Sequence, residues 1–280
     1  MGFPMSATPR AKALIASLPM YDWPEVRGEM DLLWQEIATH LRLQGIRAPK
    51  ALKRSGDYRA SWLRPELLLS QTCGFPYVTR LRGKVQLVAT PCYGVDGCDG
   101  SNYTSFVIVR RGCGLTSLAD LGAATAAISA AESQSGHWAL RAALAADRRT
   151  VGPARAVLSG GHRASLRMVA ECRADVAAID AVCWTMAKRH EREAVRKLTV
   201  IAQSPAAPSL PFITALATSK ATLAALRAAL IAVITGAQSA RLRKMLYLTG
   251  AEIRPDKAYD RILSLQRTAL GHAFPKLGKA

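Results

Sequence analysis

The sequence predicts an α/β protein of two lobes with mixed, mostly parallel sheets. Three observations carry this. Short apolar runs alternate with amphipathic helical patterns almost from end to end. The connections between the apolar runs are long enough for crossover helices, which parallel strands require. Two stretches, Thr90–Tyr103 and Ser204–Pro211, interrupt the alternation where the chain would pass between lobes. The segment 104–203 then reads as an inserted lobe, and 10–92 together with 208–280 as a discontinuous first lobe. The two passages near 90–103 and 204–211 read as hinges.

The elements follow in order. Ala13–Leu18 reads as a strand. Asp22-Trp23-Pro24-Glu25 offers an N-cap and an early-helix proline, after which Val26, Met30, Leu33, Ile37 and Leu41 recur at helical spacing until Gly45. Glu66–Ser70 reads as a strand, Cys73–Leu81 as a short helix and Lys84–Ala89 as a strand, followed by a Gly/Asp-rich loop. In the middle segment, Thr104–Val109, Ala123–Ile128, Ala154–Leu158, Asp175–Ile179 and Leu198–Ala202 read as strands. Between them lie a turn capped by Ser117 and helices entered at Glu132–Gly136, Gly160-Gly161 and Ala181. Phe212–Ala217 is a last strand, and the remaining tail reads as helical.

Composition narrows the function classes. With 280 residues, 50% apolar and 21% charged, the chain is long enough for a sizeable core and too apolar for wholesale disorder. Its longest uncharged stretch, Val200–Ser219, is broken by three prolines and does not read as a membrane span. Six cysteines, with no CxxC and no histidine at finger spacing, argue against structural zinc and against a disulfide miniprotein. Cys92 and Cys98 flank a turn that a disulfide would close only in an oxidising compartment. The formal charge of +18 suits anionic ligands in general. The basic stretches Arg42–Arg64 and Arg241–Lys279 lack interleaved aromatics and nucleic-acid motifs, so they read as solvated basic faces. At the N-terminus, Arg10 and Lys12 precede only Ala13–Leu18 before Pro19, shorter than a secretory signal core. Met1–Ser6 matches a myristoylation pattern only formally, and Pro4 weakens it. On this reading the chain looks cytosolic.

Three segments share one design, a strand followed by a hydroxyl- or glycine-bearing turn and then a helix. They are Leu67–Gly74, containing Ser70, Gln71 and Thr72; Ile128–His137, containing Ser133, Gln134, Ser135 and Gly136; and Val157–Ser165, containing Gly160, Gly161 and His162. Each offers free backbone amides at the positive end of a helix beside hydroxyl donors, which suits an oxyanion. Any one of them alone reads as a plain N-cap. Three at strand ends, divided between two lobes, point to an anion clamp. Asp180, at the end of its strand, reads both as the cap of the helix from Ala181 and as a ligand contact. Tyr21, Tyr93 and Tyr103 are candidates for the cleft wall.

Read in order, Leu69–Tyr77, Ser133-Gln134-Ser135-Gly136, Gly160-Gly161-His162 and Asp175–Asp180 resemble the phosphate/phosphite/phosphonate-binding proteins of ABC importers. These are type 2 periplasmic binding proteins with a Venus-flytrap fold. The resemblance spans about residues 13–218. It implies that Ser133–Gly136 holds phosphonate oxygens, that Gly161-His162 and Asp180 lie on the same wall, and that Tyr21 faces the cleft. In relatives that take aminoalkylphosphonates, carboxylates near this wall meet the ligand amine. The implied protein is a non-catalytic, monomeric, periplasmic carrier of a small anion, serving the membrane subunits of an importer, with no cofactor, metal or nucleic acid. Alternatives are a cytosolic sensor on the same fold, or an enzyme using Cys73 at its helix start with one of the histidines as base.

Overall fold

The computed structural model describes residues 13–147 and 150–279. The N-terminal residues Met1–Ser6, Arg10 and Lys12, and the expected start of the first lobe at residue 10, lie outside the described residues. The chain opens with β1 (Ile15–Ser17), a 3₁₀ turn at Pro24–Val26 and the long helix α1 (Arg27–Leu43). Then come α2 (Tyr58–Ser61), β2 (Leu67–Gln71) and α3 (Gly74–Pro76), which continues as a wider π turn over Tyr77–Leu81. β3 (Val85–Tyr93), β4 (Cys98–Asp99) and β5 (Asn102–Tyr103) lead to β6 (Ser105–Arg110) and β7 (Thr125–Ile128). A π turn at Gln134–Trp138 runs into α4 (Ala139–Ala146), followed by β8 (Arg155–Leu158), α5 (His162–Ala170), β9 (Val176–Asp180) and α6 (Ala181–His190). The remainder is α7 (Arg192–Arg196), β10 (Leu198–Gln203), β11 (Ala207–Pro208), β12 (Phe212–Ala215), α8 (Lys220–Thr235), α9 (Ala240–Leu246), β13 (Leu248–Glu252), α10 (Asp260–Leu270) and β14 (Leu277–Lys279).

Two main sheets result, in the orders β1-β2-β12-β3-β13 and β10-β6-β9-β7-β8-β14. The mixed character is as expected, but antiparallel pairing takes a larger share than strand–helix alternation implies. β1–β2 and β9–β7–β8–β14 are parallel, whereas β6, β10, β12 and β13 pair antiparallel. β6 and β12 arrive directly from the passages between lobes. They therefore start where β9 and β2 end, Ser105 opposite Asp180 and Phe212 opposite Gln71, and run the other way. The two passages lie side by side, because β5 pairs with β11 in a small third sheet.

The tail differs from the all-helical expectation. β13 extends the first sheet along the far half of β3, and β14 joins the edge of the second sheet beside β8. The end of the chain thus leaves the first lobe, in which the span 208–280 had placed it whole. Neither strand announces itself, since LTGAE and LGK hold few of the β-branched or aromatic residues that mark strands.

The core of the first lobe forms where the apolar stripe of α1 meets α8. Trp34, Ile37 and Leu41 are fully buried there, with Leu226 and Leu230 opposite. Gly45 ends α1 because its φ of +76° is accessible to glycine at little cost, and its amide returns to the Arg42 carbonyl. Asp22 is not the cap it resembles; it pairs with Arg54 at 2.6 Å, and Trp23 occupies the N-cap of the turn. In the second lobe, α4 covers β6, β7 and β9 through Leu140 and Leu144. Among the described residues no single helix is long and apolar enough to cross a membrane.

Candidate functional site

The strand–turn–helix segments converge. A cleft of about 340 Å³ opens between the two sheets. Cys73 reaches it from the first lobe, and Ser129, Ser133, Ser135, Gly160, Gly161 and His162 from the second. α5 begins at His162 on the cleft lining, and the amides of its first turn have no intrahelical acceptor. Gly160 makes that turn possible, because its φ of +92° is strained for any other residue. Ser133 caps the second helix start by accepting the Gly136 amide at 2.9 Å, and its hydroxyl hydrogen remains available to a ligand. Ser135 Oγ lies 2.7 Å from His162 Nε2.

Electrostatics make these donors neutral. Burial pulls His162 down to about 4, so the ring is uncharged near pH 7. Burial pushes Asp180 up to about 6, against the donors that favour its charged form. Those donors are the amides of Val182 and Cys183 on Oδ1, at 2.8 and 3.1 Å, and the Tyr21 hydroxyl on Oδ2 at 3.0 Å. Asp180 is thus both helix cap and cleft wall, and its bond to Tyr21 joins the lobes. Tyr21 is itself held edge-on by Tyr93, with ring centres 5.3 Å apart.

Five expected residues stand elsewhere. Ser70, Gln71 and Thr72 lie behind the wall, fully buried, with their side chains engaged inside the first lobe. Ser70 Oγ meets Ser17 Oγ, Gln71 Nε2 reaches Tyr93 and the Leu210 carbonyl, and Thr72 Oγ1 donates to the Cys73 carbonyl. They occupy the end of a strand buried on both faces, and the chain turns toward the cleft only at Cys73. Gln134 is also buried, and it contributes its amide, which donates to Cys73 Sγ at 3.2 Å. Gly136 sits one layer back, where a Cβ would fall 2.0 Å from Ser129 Oγ.

Sequence reasoning missed Tyr58, Arg59, Trp62 and Trp23, all of which line the cleft. Aromatics four apart on a short helix, Tyr58 and Trp62, were the available signal, hidden inside a stretch dominated by its basic residues. Among the described residues, no group of three or more His, Cys, Asp or Glu side chains is placed to hold a metal ion.

The family described as ABC transporter, phosphonate, periplasmic substrate-binding protein matches residues 66–259, more than half of the chain. The chain belongs to this family. The match spans Cys73, Ser133–Gly136, Gly160–His162 and Asp180, and leaves out Tyr21, Tyr58 and Trp62. No curated protein matches the sequence. Solved structures share the fold. A binding-protein component of an ABC phosphonate transporter from Pseudomonas aeruginosa superposes with a TM-score of 0.74 at 17% identity, over 92% of this chain and 88% of that one. PhnD1 from Prochlorococcus marinus, solved with methylphosphonate, gives 0.74 at 15% identity, over 91% and 97%. XAC2383 from Xanthomonas citri, solved with ATP, gives 0.69 at 18% identity, over 92% and 97%. The phosphonate-binding fold thus extends beyond the matched segment to most of the chain.

Proposed function

We propose that this chain is a non-catalytic, monomeric periplasmic carrier that encloses a small phosphorus oxyanion between its lobes and delivers it to the membrane subunits of an ABC importer. The observation that carries the reading is the meeting of the Ser133 and His162 helix starts in one cleft, facing Cys73. Neutral hydroxyls and amides fixed at helix starts bind an oxyanion without the hydration cost of a buried countercharge. Rotation about the paired passages 90–103 and 204–211 would part the lobes to admit the ligand and rejoin them around it, with the Tyr21–Asp180 bond made in the joined state. Two features favour carriage over catalysis. A histidine held near 4 is a poor general base at neutral pH. Burial also holds the Cys73 thiol above its ordinary pKa, and its bonded neighbour is an amide rather than a base.

The test is thermal unfolding with phosphate, phosphite and a set of phosphonates. A ligand present at a hundred times its dissociation constant adds about 2.7 kcal/mol and raises the melting temperature accordingly. No shift with any of these anions at millimolar concentration removes the reading.

A further inference from the structure

The cleft is larger than a phosphorus oxyanion and part of its lining is not built for one. The lobes already touch on several sides of it. Tyr21 bonds Asp180, Arg80 pairs with Glu132 at 3.0 Å, Arg163 pairs with Glu25 at 2.6 Å, and Phe75 stacks on Trp138 with ring centres 4.9 Å apart. The volume of about 340 Å³ is therefore what remains with the lobes in contact. At about 30 Å³ per water it has room for roughly ten waters, well beyond the few non-hydrogen atoms of phosphate or methylphosphonate.

The same cleft is lined by Tyr58 and Trp62, which pack edge-on with ring centres 5.5 Å apart. Trp62 is only 4% exposed, and its indole Nε1 is buried with no hydrogen-bond partner among the described residues. Arg59 lines the same cleft and has no carboxylate partner among the described residues; its guanidinium lies 5.5 Å from the Tyr58 ring centre. The carboxylates on the lining are Asp22, Glu132 and Asp180, and each is engaged, with Arg54, with Arg80, and with Tyr21 and two amides.

We propose that the ligand is a phosphonate or phosphate monoester whose substituent is ring-sized and carries a hydrogen-bond acceptor, with Tyr58 and Arg59 setting that preference. This rests on the oxyanion reading above and adds a substrate class to it. The substituent lies against Tyr58 and Trp62 while the phosphorus oxygens meet Ser133, Ser135 and the start of α5.

Calorimetric titration with inorganic phosphate, methylphosphonate, 2-aminoethylphosphonate, phenylphosphonate and 4-carboxyphenylphosphonate tests it. Phenylphosphonate is expected to bind roughly tenfold tighter than methylphosphonate, the return for burying part of a ring, and the carboxyphenyl compound tighter again. Arg59→Gln keeps a long polar side chain and removes the charge. It should abolish the advantage of the carboxyphenyl over the phenyl compound while leaving methylphosphonate within about twofold. Tyr58→Leu, on a half-buried position, should narrow the gap between phenyl and methyl. If phosphate, methylphosphonate or 2-aminoethylphosphonate binds as tightly as phenylphosphonate, the proposed substituent is wrong and the oxyanion reading stands. If none of the five binds, the oxyanion reading fails as well.

Discussion

Tyr21 and Asp180, 159 residues apart in sequence, share a hydrogen bond of 3.0 Å that links the first lobe to the second. Its acceptor is a buried carboxylate that titrates near pH 6, and the phenol favours the charged form. Tyr21→Phe should therefore cost about 1–3 kcal/mol at pH 8, where Asp180 is ionised, and clearly less at pH 5. Urea unfolding at both pH values measures the difference. Equal losses would show that the bond does not depend on the charge.

The buried pair Asp180 and His162 predicts a compensated pH profile. Asp180 rises from its ordinary 3.8 to about 6 in the folded state, so it adds stability as pH falls from about 6 toward 4. His162 falls from 6.5 to about 4, so it adds stability as pH rises across nearly the same range. The two contributions oppose each other, each on the order of 3 kcal/mol over its full range. Asp180→Asn should expose the histidine contribution alone, giving a protein whose stability drops steeply between pH 6.5 and 4. A variant profile parallel to that of the wild type would refute the pairing.

Gly136 has no room for a side chain. A Cβ there would lie 2.0 Å from Ser129 Oγ, 2.7 Å from Ser129 Cβ and 3.2 Å from His162 Cε1. Gly136→Ala should destabilise by about 1–3 kcal/mol and displace two cleft residues, weakening ligand binding. Adding Ser129→Gly removes the obstacle and should restore most of the stability. A double variant as unstable as the single one would place the cost elsewhere.

The cysteines should divide by reactivity. Cys113 and Cys172 are exposed, whereas burial pushes Cys92 up to about 11 and Cys98 up to about 12, and holds Cys73 and Cys183 above their ordinary range. A thiol reagent at pH 8 should modify Cys113 and Cys172 quickly, Cys73 and Cys98 more slowly, and the buried Cys92 and Cys183 at the rate of unfolding. Rapid labelling of Cys92 or Cys183 would contradict their burial.

Local signals predicted much of this architecture. The stripe Met30, Leu33, Ile37 and Leu41, the stop at Gly45 and the glycine turn before His162 each act within a few residues, and each forms where expected. β13 and β14 escaped notice because their pairing with β3 and β8 is entirely non-local and their own residues are weak strand formers. Asp22 likewise has the form of a cap, but Arg54, 32 residues away, recruits it.

The sequence by itself determined the alternation of strands and helices, the two passages between lobes, and the helix starts at Ser133 and His162 that can hold an oxyanion. Those depend on periodicity, turn chemistry and capping, which neighbouring residues settle. Only the tertiary structure decided which side chains of each segment look into the cleft. It turned Cys73 inward and left Thr72 behind the wall, brought Tyr58 and Trp62 to the same cleft as the serines, and gave Asp180 to Tyr21. The reason is that facing depends on where a strand ends against its partners in the sheet, a relation between residues far apart in sequence, Ser105 with Asp180 and Phe212 with Gln71.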